Sequence, residues 1–570
     1  MKKLFILLYL QLALCCTTFA ANYLTFTAEE DNSAFSIEDH DIKSKIFYSL
    51  DNGETWKQLT NEPVSLSKGD RALLKGEEPD SKPTAKNYFN FQMSGLIAAS
   101  GSVMSLVDGN GESKTIPYAY CFQGLFEKCS SLTKAPELPA TTLAENCYND
   151  MFGSCHSLTQ APELPATTLA DSCYFGMFNY CTSLTQAPEL PATTLAKECY
   201  SFMFSECSSL TQAPELPATT LAKVCYYGMF YECESLTQAP ELPATTLAKE
   251  CYGLMFWGCT SLTKAPELPA TTLAEGCYGD MFRSCSNLTQ APELPATTLA
   301  AVCYAEMFWD CSSLTQAPKL PATTLADSCY FGMFNHCTSL TQAPELPATT
   351  LAKGCYGNMF GNCTEMTQAP KLPATTLAEN CYNEMFWGCN SLTKAPELPA
   401  TTLTDSCYFG MFSYCTSLTQ APELPATTLA ENCYEFMFYE CHKLSHIKVA
   451  FTDWGTDTEI WVRDVAETGT FICPEELSLE YGDDFIPEGW SVKREEDSST
   501  EAVAATEGTT VHTSGLTIFV CNTDADIEVY EVGGKLIGKA RTMNGEAQIT
   551  VPQSGIYLVK AGAQTFKVAL

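Results

Sequence analysis

The chain has 570 residues, with 67 acidic and 32 basic side chains and a formal net charge of −35. That balance argues against neutralising nucleic-acid phosphates and against adhesion to an anionic membrane face. With 45% hydrophobic and 17% charged residues, the chain is too apolar for a disordered polyelectrolyte and can bury a core.

Residues 1–20 read as a secretory signal peptide. Lys2 and Lys3 form a basic start, Leu4 to Leu14 an apolar stretch, and small residues lead to a cleavage point after Ala20. A lipid attachment would need a small residue before Cys15 or Cys16, and Leu14 and Cys15 are not small. No later stretch reaches the ~20 apolar residues of a spanning helix. The expectation is a secreted chain without a transmembrane segment after cleavage.

Residues 21–118 read as an N-terminal β-rich cap domain. Tyr23 to Ala28 begins by alternating apolar and polar residues, and Asp51-Asn52-Gly53 supplies a turn between Ile46–Leu50 and Trp56.

From 119 to 449 the chain repeats every 26 residues, in thirteen units. Cys stands at 121, 147, 173, 199 and onward to 433, and a second Cys follows each one eight residues later, from Cys129 to Cys441. Thirteen pairs account for all but four of the 30 Cys. Leu143, Cys147, Met151 and Cys155 are spaced by four, with Tyr148 and Phe152 alongside, and this predicts a short helix. Leu158, Ala161 and Leu164 lie in an extended run that Pro162 and Pro165 keep short. The Leu-Pro-Ala-Thr-Thr string reads as a turn whose Thr caps the following helix. The predicted fold class is therefore an α/β solenoid: a leucine-rich-repeat array with one short parallel strand and a short helix per repeat, flanked by small β-domains. Atypical segments should cap its ends.

At this level the unit resembles the BspA-type leucine-rich repeats of bacterial surface proteins. Phe152, Cys155, Leu158 and Leu164-Pro165 occupy that family's characteristic places. Each unit here is about three residues longer, and Met151 stands where Ala is common, as in the family's 26-residue variant with a Met-Phe core. The resemblance covers Cys121 to about Ala450. It implies display at the outer cell surface and adhesion to host or bacterial proteins.

Residues 450–495 break the repeat but keep Trp454, Trp461, Phe471, Ile486-Pro487 and Trp490, and read as the C-terminal cap of the array. Residues 496–514 have the Ser, Thr, Ala and Glu content of a linker. Residues 515–570 read as a β-sandwich sorting or anchoring domain, with strands Leu516–Val520, Ile527–Val532, Gln548–Val551, Ile556–Val559 and Phe566–Leu570 and a turn at Gly533-Gly534. Tyr530–Gly534, Gly555–Lys560 and Lys567–Leu570 resemble the C-terminal sorting domain of the type IX secretion pathway.

The cysteine columns, including Cys147, Cys155, Cys173, Cys181, Cys199 and Cys207, fit either inward thiol columns or a disulfide ladder. Across a continuous helix, Cys147 and Cys155 would stand ~12 Å apart, beyond the ~7 Å a disulfide spans. Their spacing is not that of zinc ligands, and Cys433, Cys441, His442 and His446 make only a local metal candidate. Neighbouring Cys and His at 155–156, 336–337 and 441–442 do not make a nucleophile and its base. The expectation is no enzyme, no cofactor and no metal. A Glu column running from Glu137 to Glu423, broken by Lys319 and Lys371, reads as a solvated rim.

The variable positions point to binding. After Phe stand Tyr231, Trp257, Arg283, Trp309, Trp387 and Tyr439; after Tyr stand Phe175, Tyr227, Phe331 and Phe409. Trp, Tyr and Arg are favoured interface anchors, although such side chains also pack between rungs. The expected partner is an extracellular protein, of host matrix or a bacterial surface, bound by a monomer. A glycan stacked on the rings and a passive spacer are the alternatives.

Overall fold

The computed structural model describes residues 21–39, 43–455 and 457–495, and then 503–504, 510–514, 516–521, 526–531, 535–541, 546–553, 555–561 and 564–569. The predicted signal peptide, most of the predicted linker and the Gly533-Gly534 turn lie outside the described residues. The chain divides into two units.

The first unit opens with β1 (Leu24–Ala28), β2 (Ser33–Asp39), β3 (Lys45–Ser49), β4 (Lys57–Gln58), β5 (Val64–Leu66), β6 (Arg71–Glu77), β7 (Phe89–Ser94) and β8 (Ile97–Ser100). A four-residue helix α1 (Ser105–Asp108) and β9 (Leu132–Lys134) follow. Strand alternation buries Leu24, Phe26 and Ala28, and Phe26 meets Phe35 and Phe91 edge-on at 5.2 and 5.0 Å. One sheet runs β4-β3-β6-β1-β8-β9 and a second β5-β2-β7. β9 belongs to the first repeat and pairs in parallel with β8, Ile97 opposite Leu132. The array thus grows directly from the edge of the N-terminal sheet and leaves β8 no free side.

The helix expected in each repeat is not there; α1 is the only helix among the described residues. The four-residue spacing is that of consecutive tight turns. In the unit of Cys147, the N–H groups of Cys147, Met151 and Cys155 bond to the carbonyls of Ala144, Tyr148 and Phe152, three residues back. The third residues of these turns, Asn146, Asp150 and Ser154, have φ of 53°, 49° and 61°, whereas every residue of a helix keeps φ near −63°. The intervening N–H groups of Tyr148, Asp150, Phe152 and Ser154 point out of the rung and bond to Cys173, Phe175, Met177 and Asn179 in the next, at 2.7–3.0 Å. Backbone donors alternate between closing a turn and joining two rungs.

The predicted strand shrinks as well. Outside the first and last rungs it survives as isolated parallel bridges such as Gln160 with Gln186 and Thr168 with Thr194. Pro162 and Pro165 carry no N–H and prevent a longer ladder. With no helix to cap, the Thr-Thr pair sits in this bridged segment instead.

Inside the array the side chains form continuous columns. Tyr148 to Tyr434 stack with ring centroids 5.7–6.1 Å apart. Phe126 to Phe438 stack at 5.4–5.8 Å. The Phe column starts on Phe91 at 5.3 Å. Both columns finish on Trp461, at 6.4 Å from Tyr434 and 6.0 Å from Phe438. Trp461 is 0% exposed, and its Nε1 donates to the Phe485 carbonyl at 2.9 Å.

Towards the end of the array lie β10 (Glu423–Leu424) and β11 (His446–Val449), followed by β12 (Thr470–Pro474) and β13 (Ser491–Glu495). The second unit comprises Val449–Asp453, Phe471–Ser478 and Val492–Leu570. Its strands are β14 (Val503–Ala504), β15 (Thr510–Ser514), β16 (Thr517–Cys521), β17 (Ile527–Glu531), β18 (Leu536–Ala540), β19 (Glu546–Thr550), β20 (Ile556–Ala561) and β21 (Gln564–Ala569). They form two sheets, β14-β15-β16-β19 and β18-β17-β20-β21, around Val511, Ile518, Val529, Val559 and Phe566. Part of the expected linker is therefore strand: Val511 and Thr513 point inward while β15 pairs with β16. β18 also went unread in the sequence.

Two outcomes follow. Trp461→Ala removes the floor of both aromatic columns and is expected to destabilise the array by about 3–5 kcal/mol. Urea unfolding would measure this, and the Phe438 amide, bonded to the Trp461 carbonyl at 2.8 Å, should exchange faster. Val302 is a β-branched residue held at φ 49° and is 38% exposed. Val302→Gly relieves left-handed strain and should raise stability by about 1 kcal/mol in the same assay.

Candidate functional site

The turns present their second and third residues outward, and this is where the variable positions fall. Phe175, Tyr227, Tyr231, Trp257, Arg283, Trp309, Phe331, Trp387, Phe409 and Tyr439 are all half-buried. None stands free as an isolated platform. They lean along the stack on their neighbours in adjacent rungs.

Two strips result. In the first, Phe202 lies 5.9 Å from Phe175, 5.5 Å from Tyr227 and 6.5 Å from Tyr231, and Tyr231 lies 5.6 Å from Trp257. The Arg283 guanidinium then sits 4.3 Å from the Trp257 ring and 4.6 Å from the Trp309 ring. Trp309 stacks on His336 at 6.0 Å. In the second strip, Tyr414 lies 5.7 Å from Trp387 and 5.2 Å from Tyr439. Phe436 joins Tyr439 to Phe409 at 6.0 and 5.5 Å. Phe331 lies over Gly357, where a Cβ would come within 3.0 Å of its ring.

Arg283 is fixed by charge as well as by the two rings. It pairs with Asp280 at 3.2 Å and closely with Glu306. Burial pushes the Asp280 carboxyl up to about 6, against the pull of Arg283. A half-buried guanidinium held between two indoles and two carboxylates anchors this part of the strip by charge as well as by stacking.

Phe202, His336, Tyr414 and Phe436 were not among the binding residues expected from the sequence, where His336 entered only as the neighbour of Cys337. Each has positive φ, at 51°, 59°, 60° and 55°. In a helix these positions would point elsewhere. The available signal was the Gly that fills the same columns in other units, such as Gly176, Gly228 and Gly388.

The cysteine columns lie inside, and all their thiols are free. In the second column Cys129 donates to the Phe91 carbonyl of β7 at 3.1 Å, and each later thiol to the carbonyl of the Phe one rung back at 3.0–3.1 Å, as Cys155 does to Phe126, Cys181 to Phe152 and Cys207 to Phe178. Burial pushes Cys147, Cys181 and Cys199 up to about 12 and Cys155, Cys173 and Cys207 well above the usual thiol range. Such thiols make poor nucleophiles and poor metal ligands.

The Cys–His neighbours are kept apart. Cys155 bonds to Phe126 while His156 meets Thr182 at 3.4 Å. Cys337 bonds to Phe308 while His336 meets Asn362 at 3.1 Å. His442 lies 2.9 Å from the Asp464 carbonyl and 3.2 Å from Glu440. Among the described residues, no group of three or more His, Cys, Asp or Glu is placed to hold a metal. None of their helices is long and apolar enough to cross a membrane.

Comparison with known proteins agrees with this repeat geometry. The family model of the BspA type leucine rich repeat region, six copies long, matches residues 118–237, 145–315 and 332–455, more than half of the chain. No curated protein matches. Repeats of this type imply a solenoid-like fold and are typical of non-enzymatic binding modules in bacterial surface or secreted proteins. By its repeats, the chain belongs to the BspA-type leucine-rich repeat family.

Proposed function

We propose that the protein is exported, displayed at the outer surface of a bacterial cell, and binds an extracellular protein through the turn face of its array. The observation that carries this reading is the strip from Phe202 to His336. It presents half-exposed aromatic rings and one clamped Arg whose identities change from rung to rung. A surface that varies along its length suits an irregular partner, and Trp, Tyr and Arg supply most of the energy in such contacts. A sugar would need open ring faces. Here much of each ring is taken up by its neighbour, which favours a protein over a glycan on this face.

Export rests on the signal-like segment 1–20, and retention at the surface on the resemblance of the last 55 or so residues to a type IX sorting domain. The net charge of −35 favours a basic partner and a complex that weakens as salt rises. No reaction is proposed, because the thiols and imidazoles that would perform one are separated.

The test is a binding screen of the mature chain against host matrix and bacterial surface proteins, repeated with Trp257→Ala, Trp309→Ala and Trp387→Ala combined. Binding should fall by at least about tenfold while circular dichroism shows an intact array. Undiminished binding by the folded variant would move the site off the turn face. A folded array that captures nothing would leave the spacer role.

A further inference from the structure

We propose that the array carries a second recognition surface, formed by its Thr-Gln-Ala-Pro-Glu-Leu-Pro and Pro-Ala-Thr-Thr segments, which holds a linear polysaccharide lacking acidic groups along the stack of rungs. This surface is separate from the turn face and does not depend on the protein-binding reading.

The first argument comes from comparing the units of this chain with one another. Thr159, Gln160, Glu163, Pro165, Thr167 and Thr168 are all exposed. Their counterparts are almost the same in every unit; Pro-Ala-Thr-Thr-Leu recurs without change from Pro139 to Leu429. On the turn face of the same units, the half-buried outward residues differ freely, as Tyr231, Arg283 and Trp387 do at one position. The units have therefore had time to diverge, yet this face has not. Internal bonding accounts for only part of it: Thr185, Thr237, Thr289 and Thr419 donate their hydroxyls to the Thr carbonyl one rung back, whereas the exposed Gln160 and Glu163 side chains point to solvent. Neither Glu241, Glu267 nor Lys264 forms an ion pair among the described residues. The Glu column is also unfavourable by itself, because like charges one rung apart repel. A repeated exposed pattern kept against that repulsion points to a ligand with a repeat of its own.

The second argument is shape. The same face is grooved. One groove of ≈ 680 Å³ runs between Thr237–Pro243 and Thr263–Pro269. Another of ≈ 420 Å³ lies between Lys134–Pro139 and Gln160–Pro165. Each is lined by Ala, Pro and Leu together with Gln, Lys and Glu side chains, and the first also by Thr237 and Thr263. Lys134, Lys264 and Lys394 recur five rungs apart in the column that is otherwise Gln.

The third argument is chemical. Hydroxyl, amide and carboxylate groups beside apolar side chains match the hydroxyls and C–H faces of sugars. The Glu column repels acidic polymers. Rungs lie ~4.8 Å apart, a spacing of the order of one pyranose unit, so a linear chain laid along the stack can present its hydroxyls to successive grooves. Successive weak contacts then add through multivalency, which is the gain a periodic surface offers over a single pocket.

The experiment titrates the mature full-length protein with cello-oligosaccharides and chito-oligosaccharides of increasing length, and with hyaluronan as an acidic control. Binding should tighten at least about tenfold from the shortest to the longest neutral chain, with hyaluronan inactive. Combining Glu241→Gln, Lys264→Ala and Glu267→Gln should weaken it several-fold while the unfolding midpoint stays put, and the triple Trp variant should bind as wild type. Failure of every neutral or amino-sugar chain to bind the folded protein would overturn the proposal. So would an affinity that does not grow with length, or equal binding of hyaluronan. The protein-binding reading is tested separately by the Trp variant and survives any of those results.

Discussion

Every feature of the array depends on how its backbone donors alternate. One N–H in two closes a four-residue turn, and the next bonds to the following rung. A helix satisfies its donors internally and is indifferent to its neighbours. This backbone leaves half of its turn donors unsatisfied until another rung arrives, so a single unit has nothing stable to fold into. The arrangement requires three residues of positive φ in each rung, which only Gly, Asn and Asp accept at little strain. Stacking across thirteen units is strong enough to hold Phe202, Val224 and Leu254 there as well.

The interior uses cysteine as a small apolar residue with one weak donor. Each thiol of the second column after Cys129 adds a bond to a Phe carbonyl that already accepts a turn N–H. Alanine would lose the bond and leave a sulfur-sized gap, and serine would bring a more polar group into a dry column. The same burial that makes the bond useful holds the thiols protonated at neutral pH. Twenty-six reduced cysteines are then compatible with the proposed export to an oxidising exterior, where a disulfide framework would ordinarily be expected.

Much of this was legible in the sequence. The 26-residue period and the Cys, Tyr, Met and Phe columns follow from residue spacing and composition, whereas Trp461 was only one of several aromatic residues in the segment read as a cap. The local conformation did not. Apolar residues four apart suit an α-helix and a run of four-residue turns equally well, and hydrophobic periodicity cannot separate the two. The glycines scattered through three columns could have done so, because a helix has no use for them. The same error hid part of the candidate site. Trp257, Arg283 and Trp309 were visible as variable outward residues, but Phe202 and Tyr414, which join the strips, stand at positions a helix would have turned another way. The turn face was read either as a binding surface or as side chains packed between rungs, and its rings do lean on one another. At the C-terminal end, Thr510–Ser514 looked like linker because its polar residues outnumber its single Val, yet alternation puts Val511 and Thr513 on the inner face.

The identical bonding of successive rungs also sets which changes of length the gene can tolerate. Removing one residue from a unit would displace every carbonyl beyond it from its donor. Removing a whole unit would rejoin equivalent atoms on either side of the cut, with Phe91 and Trp461 still in place at the two ends. Allowed lengths are therefore quantised in steps of one rung. Unequal recombination between near-identical units, such as those beginning at Cys173, Cys329 and Cys407, can move the chain along that ladder of lengths in a single event.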